Sequence, residues 1–91
     1  MNYHYDPDKR TSSLKKHGLD FDDAATVIES GQTLTFEDRR FDYGEGRFIT
    51  LGLLGDQVVV IVTSEIDEEI RIISMRKATR HEQTIYYNHL A

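Results

Sequence analysis

The chain has 91 residues, no cysteine and a formal net charge of -5, which leaves room for one domain, residues 1–91, and excludes disulfide staples and thiolate metal sites. Its 38% hydrophobic content supports one modest core, and the longest apolar runs, Leu51 to Leu54 and Val58 to Val62, are far too short to cross a bilayer. The first residues lack the basic and apolar regions of a signal peptide, so the cytoplasm is the expected address.

Charge is unevenly spread. Lys9, Arg10, Lys15 and Lys16 form one basic segment, and Arg71, Arg76, Lys77 and Arg80 form a second. Between Asp20 and Glu69 lie thirteen acids against only Arg39, Arg40 and Arg47. An acidic body with two basic patches receives a phosphate chain only where the fold brings the patches together; otherwise both are ordinary solvated faces.

Tyr3 to Tyr5 reads as a short strand. Asp6-Pro7 reads as an N-cap followed by the first helical residue, and the helix should run to His17 and stop at Gly18. Leu14 is its only large aliphatic residue, so most of its surface should stay exposed or meet a partner. Phe21, Ala24, Ala25 and Ile28 give the next helix its apolar stripe, ended by Gly31. Strand character then begins at Thr33 to Phe36, extending toward Arg40 or Phe41, before a turn at Tyr43-Gly44-Glu45-Gly46. Arg47 to Leu54 and Gln57 to Ser64 are joined by Gly55-Asp56, a hairpin connection. The unbroken run from Val58 to Val62 predicts a central strand covered on both faces. An acidic turn at Ile66 to Glu69 leads to a strand over Glu69 to Met75. Thr79-x-x-Glu82 is a capping box that opens a last helix. The expected architecture is α+β: two N-terminal helices and a C-terminal helix packed on a three- to four-stranded, mainly antiparallel sheet.

No metal motif is present: His4, His17, His81 and His89 are scattered, without a facing i, i+4 partner. Walker, dinucleotide-binding and nucleophile-elbow signatures are also missing, and no cofactor is expected. The remaining groups suit metal-free RNA cleavage, in which the ribose 2′-hydroxyl attacks its own phosphate. Histidine serves there as acid or base, and arginine holds the phosphate through a planar fork that stays charged. Each residue also has a structural explanation. His17 complements a helix C-terminus, Arg71 alternates with Ile70 and Ile72 and points to solvent, and Arg76 and Lys77 lie at a strand-to-helix junction. Glu82 suits a capping box, and Tyr86 suits a helix residue packed on the sheet.

Three ordered stretches add to this reading. Tyr5-Asp6-Pro7-Asp8-Lys9, with Leu14-Lys15-Lys16-His17-Gly18-Leu19-Asp20-Phe21-Asp22-Asp23-Ala24, is the first. Tyr43-Gly44-Glu45-Gly46-Arg47-Phe48-Ile49-Thr50-Leu51-Gly52 is the second. Arg71 to Thr79, followed by Glu82 and Tyr86, is the third. Together they resemble the signatures of BrnT-type toxins of type II toxin-antitoxin systems, although Ser13 stands where that family often has asparagine and Met75 where alanine is usual. The resemblance implies a RelE-like ribonuclease fold, metal-independent RNA cleavage and growth arrest. It also implies neutralisation by a BrnA-type antitoxin with a ribbon-helix-helix module, through which alone the complex meets operator DNA. Carried onto this chain, it makes His17, Arg47 and Arg76 the expected catalytic group and Lys9, Lys16, Arg71 and Lys77 the RNA-binding set, which Arg80 joins from the second basic segment. Glu82 and Tyr86 take either a catalytic or a structural part.

Two other functions fit the sequence. An inactive homologue acting as a protein-binding module or co-repressor would use the exposed first helix. A direct DNA-binding regulator would show steep salt-dependent binding, which the negative charge opposes.

Overall fold

The computed structural model describes residues 2–40 and 44–90. In chain order it contains β1 (Asn2–Tyr5), α1 (Pro7–His17), a 3-10 turn (Phe21–Asp23), α2 (Ala24–Ile28), β2 (Leu34–Glu37), β3 (Gly46–Leu54), β4 (Gln57–Ile66), β5 (Glu69–Lys77) and α3 (Arg80–Leu90). β2 ends at Glu37 and does not run on to Arg40 as expected, while Phe41 and the start of the turn at Tyr43 lie outside the described residues.

The ends of α1 follow from local chemistry. The Asp6 side chain accepts the Asp8 amide at 2.9 Å, Pro7 takes the first helical position, and Gly18 closes the helix at a φ of 68° with its amide on the Leu14 carbonyl. Lys15, Lys16 and His17 occupy the last turn, where cations meet the negative end of the helix dipole. Arg10 fastens this helix to the turn that follows, with Nε and Nη2 donating to the two Asp20 oxygens at 2.8 and 2.9 Å. Asp22 adds an ion pair to the same guanidinium at 3.3 Å and accepts the Tyr5 hydroxyl. One cation of the N-terminal basic segment is therefore structural.

The sheet has five strands in the order β1-β5-β4-β3-β2, not three or four, and it is mixed. β2, β3, β4 and β5 pair antiparallel in succession, as consecutive hairpins require. The addition is β1, which lies parallel to β5 with Asn2 opposite Glu69 and Tyr5 opposite Ile72. No hairpin turn pins such a strand to a sequence neighbour, so its partner could not be read from turn chemistry. Beyond Ile72 the outer edge of β5 passes from β1 to α1, which packs against it.

Both faces of β4 are covered, as its uninterrupted apolar run predicts. Val59 and Ile61 join Leu19, Phe21, Ala24, Val27, Ile70, Ile72 and Met75 on one face. Val58 and Val60 join Leu51 and Tyr86 on the other. The helices therefore do not share a side: α2 and the 3-10 turn lie on the first face and α3 on the second. Close approach of α2 requires Gly52, where a Cβ would lie 2.5 Å from Val27 Cγ1 and 3.1 Å from Thr33 Cγ2. α3 is anchored by Tyr86, which has no exposed surface and donates its hydroxyl to the Gln32 carbonyl at 2.6 Å.

A bulge in β5 resets the alternation of its side chains. Thr63 pairs with Ile72 but Val62 pairs with Ser74, so Ile73 is the extra residue. Arg71 and Arg76 are an odd number of positions apart and would face opposite sides of a regular strand. The bulge turns both toward the α3 face.

Candidate functional site

The register lines up four polar residues across four strands. His4 on β1 stands opposite Arg71 on β5, Arg71 opposite Ser64 on β4, and Ser64 opposite Arg47 on β3. All four share the α3 face, because Tyr3, Tyr5, Ile70 and Ile72 pack into the other core while Ile49 and Leu51 pack beside α3. Neighbouring strands are ~4.8 Å apart, so the row spans about 14 Å. α3 stops short of it and covers only the Leu51–Val60 end of the face.

A hollow of about 470 Å³ opens over the His4, Arg71 and Ser64 part of this row, lined by those residues with Glu45, Ile66, Asp67 and Glu69; Arg47 lies outside its lining. His4 Nε2 lies 3.5 Å from Glu69 Oε2, with both side chains about half exposed. Arg47 is half-buried, with Nε 3.7 Å from Glu45 Oε1. Ser64 forms part of the floor and is buried. Among the described residues Arg71 makes no side-chain hydrogen bond or ion pair, so its guanidinium can take an incoming anion. The rim is tight: the β4–β5 turn holds Asp67 at a φ of 51° and Glu68 at 67°, left-handed positions that residues with a Cβ rarely adopt.

Arg76 also faces α3, but it is committed. Its Nη1 and Nη2 donate to Glu82 Oε1 and Oε2 at 2.7 and 2.9 Å. Glu82 completes the capping box as well, taking the Thr79 amide at 2.8 Å while its own amide donates to Thr79 Oγ1 at 3.2 Å. The Arg76 guanidinium, aided by the Thr79 bonds, lowers the Glu82 carboxyl from 4.5 to about 2. Glu82 and Tyr86 thus both hold α3 on the sheet.

His17, Lys9 and Lys16 lie elsewhere. They line a smaller hollow of about 180 Å³ with Ser12, Phe21, Ser74 and Met75, where α1 meets the outer edge of β5. Ser13 secures this contact from within, its buried hydroxyl 3.3 Å from both the Leu19 and Met75 carbonyls. Lys77 stands opposite Val59 and so faces the side away from α3, and Arg80 is exposed at the start of α3. The expected catalytic group is therefore not assembled. Arg47 sits on β3 with β4 and β5 between it and the α1 edge, and it faces the opposite side. The sheet's strand order and alternation separate His17 from Arg47, a relation that spacing along the chain does not show.

Sequence reasoning passed over His4, Ser64 and Glu69. A signal for His4 was present: Tyr3 and Tyr5 alternate around it as buried aromatics do, which assigns the histidine to the other face of its strand. Among the described residues no group of three or more histidines, aspartates or glutamates is placed to hold a metal ion, and no helix is long and apolar enough to cross a membrane.

Residues 5–82 match the model of the family described as the ribonuclease toxin BrnT of type II toxin-antitoxin systems. The chain belongs to that family. No curated protein matches it. Family membership makes it a ribonuclease toxin by descent and implies a protein antitoxin and an RNA target.

Proposed function

We propose that this chain is a RelE-like endoribonuclease that cleaves RNA in the cytoplasm without a metal ion, holding the scissile phosphate over the open end of the α3 face between Arg47 and Arg71. The observation that carries this reading is the cross-strand row, in which an uncommitted arginine and a half-buried one flank a buried serine hydroxyl on a rigid sheet. Two arginines on one surface present charged forks to a phosphate, and the fixed strands hold them ready for the charge that develops as it is attacked.

Arg76 then contributes by holding α3 in place. Lys9, Lys16 and His17 on the β5 edge, with Lys77 and Arg80 beyond, guide flanking stretches of the RNA by charge. A BrnA-type ribbon-helix-helix antitoxin neutralises the toxin, and operator DNA is met only through that complex. Expression in bacteria tests the activity. Growth arrest with falling mRNA, relieved by Arg47→Ala or Arg71→Ala in folded protein, supports it. A soluble, folded product that leaves growth and RNA untouched points instead to an inactive binding module. Cleavage by purified protein that persists in excess chelator tests metal independence.

A further inference from the structure

We infer that His4 is the base that removes the proton from the 2′-hydroxyl of the RNA, with Glu69 as its positioning residue. The inference rests on the proposed nuclease reading and assigns a residue that lies before the matched family span of 5–82. His4 is the one titratable end of the row whose other members are Arg71, Ser64 and Arg47, and it lines the same hollow as Arg71 and Ser64. Its neighbour along the row is the uncommitted Arg71, one strand spacing away at ~4.8 Å, so a phosphate taken by that guanidinium lies on the imidazole's side of the sheet. Glu69 holds Nε2 at 3.5 Å, which leaves Nδ1 as the nitrogen with a lone pair to accept a proton. Glu45 and Asp67 complete the charged lining, and among the described residues His4 is the histidine that lines it.

The step is an internal phosphoryl transfer in which His4 and water carry the protons. Nδ1 takes the 2′-hydroxyl proton, the 2′-oxygen forms a bond to phosphorus, and the bond from phosphorus to the 5′-oxygen breaks. That oxygen leaves with a proton from water, and the hydroxide so formed takes the proton back from His4, giving a 2′,3′-cyclic phosphate, a 5′-hydroxyl end and the free base. Arg71 and Arg47 carry the added charge on the phosphate oxygens.

The test uses the full chain and a short RNA containing one cleavable link, followed by chromatography of the products. His4→Ala is exposed and keeps the fold by circular dichroism, yet kcat falls by ~100-fold or more with KM little changed, the size expected for losing a general base. Added imidazole restores part of that loss. Glu69→Gln lowers kcat by about 10-fold and leaves KM alone, because it disturbs only the orientation of the ring. A His4→Ala rate equal to wild type overturns the inference, as does a loss that falls on KM or that imidazole does not touch. If wild-type protein cleaves no RNA under any condition, the nuclease reading itself fails, and the inference fails with it. Activity in the wild type with full activity in the variant removes His4 alone.

Discussion

The two ends of the α3 face are built from the same strands but serve different ends. At one, Leu51, Val58 and Val60 meet a fully buried Tyr86, and Arg76 is neutralised by two bonds to Glu82. At the other, the positions of like phase along β3, β4 and β5 carry Arg47, Ser64 and Arg71, beyond the Leu51, Val58 and Val60 cluster on which Tyr86 of α3 packs. α3 therefore divides the face into a part that holds the fold and a part that it leaves uncovered. An arginine's place along the strand, rather than its presence, decides which task it has.

The sharpest way to break this contrast is to truncate one residue at each end. Tyr86→Ala should destabilise the protein by about 3–5 kcal/mol in denaturant titration, since it empties a closed site and leaves the Gln32 carbonyl without its donor. Arg71→Ala should change stability by less than about 0.5 kcal/mol while lowering RNA cleavage ~100-fold. If the two variants exchange effects, the division is wrong. Gly52→Ala serves as a control on the far face. Its Cβ would press on Val27, a stiff branched side chain, and should cost about 1–3 kcal/mol with no change in RNA contact.

Smaller effects sharpen the same picture. Glu82→Gln should cost about 1 kcal/mol by weakening both the cap and the pair with Arg76. Because folding lowers the Glu82 carboxyl from 4.5 to about 2, its stabilisation is complete above pH 4.5 and is lost as pH falls toward 2. Asp20, lowered from 3.8 to about 2 chiefly by its bonds from Arg10, contributes with the same sign. The acid limb of the stability curve should thus be shallower in Glu82→Gln, as measured by denaturation between pH 2 and 5. Smallest of all, Glu68→Gly should stabilise by about 0.5 kcal/mol, relieving the left-handed strain at the rim.

The local signals in the sequence were strong. Asp6-Pro7 and Gly18 bracket α1, Gly55-Asp56 joins β3 to β4, and the Thr79–Glu82 box opens α3, each by chemistry contained within a few residues. What the sequence left open was relational. The parallel seat of β1 depends on which edge of the sheet is free. The bulge at Ile73 reverses the facing of every later residue in β5, so the side on which Arg76 lies could not be read by alternation from Arg71. For the same reason the basic segments looked able to converge. Arg10 and Arg76 proved to be bound to Asp20 and Glu82, and His17 lies at the β5 edge, away from Arg47. The row from His4 to Arg47 joins four strands that are dispersed in sequence, and only the register reveals it.

The most direct measurement is a nuclear magnetic resonance titration of the protein with a short RNA fully substituted by 2′-O-methyl groups, which binds without being cleaved. Binding over the open end of the α3 face predicts the largest shifts at His4, Arg47, Ser64 and Arg71. Shifts confined to Lys9, Lys16 and His17 would contradict that placement of the RNA.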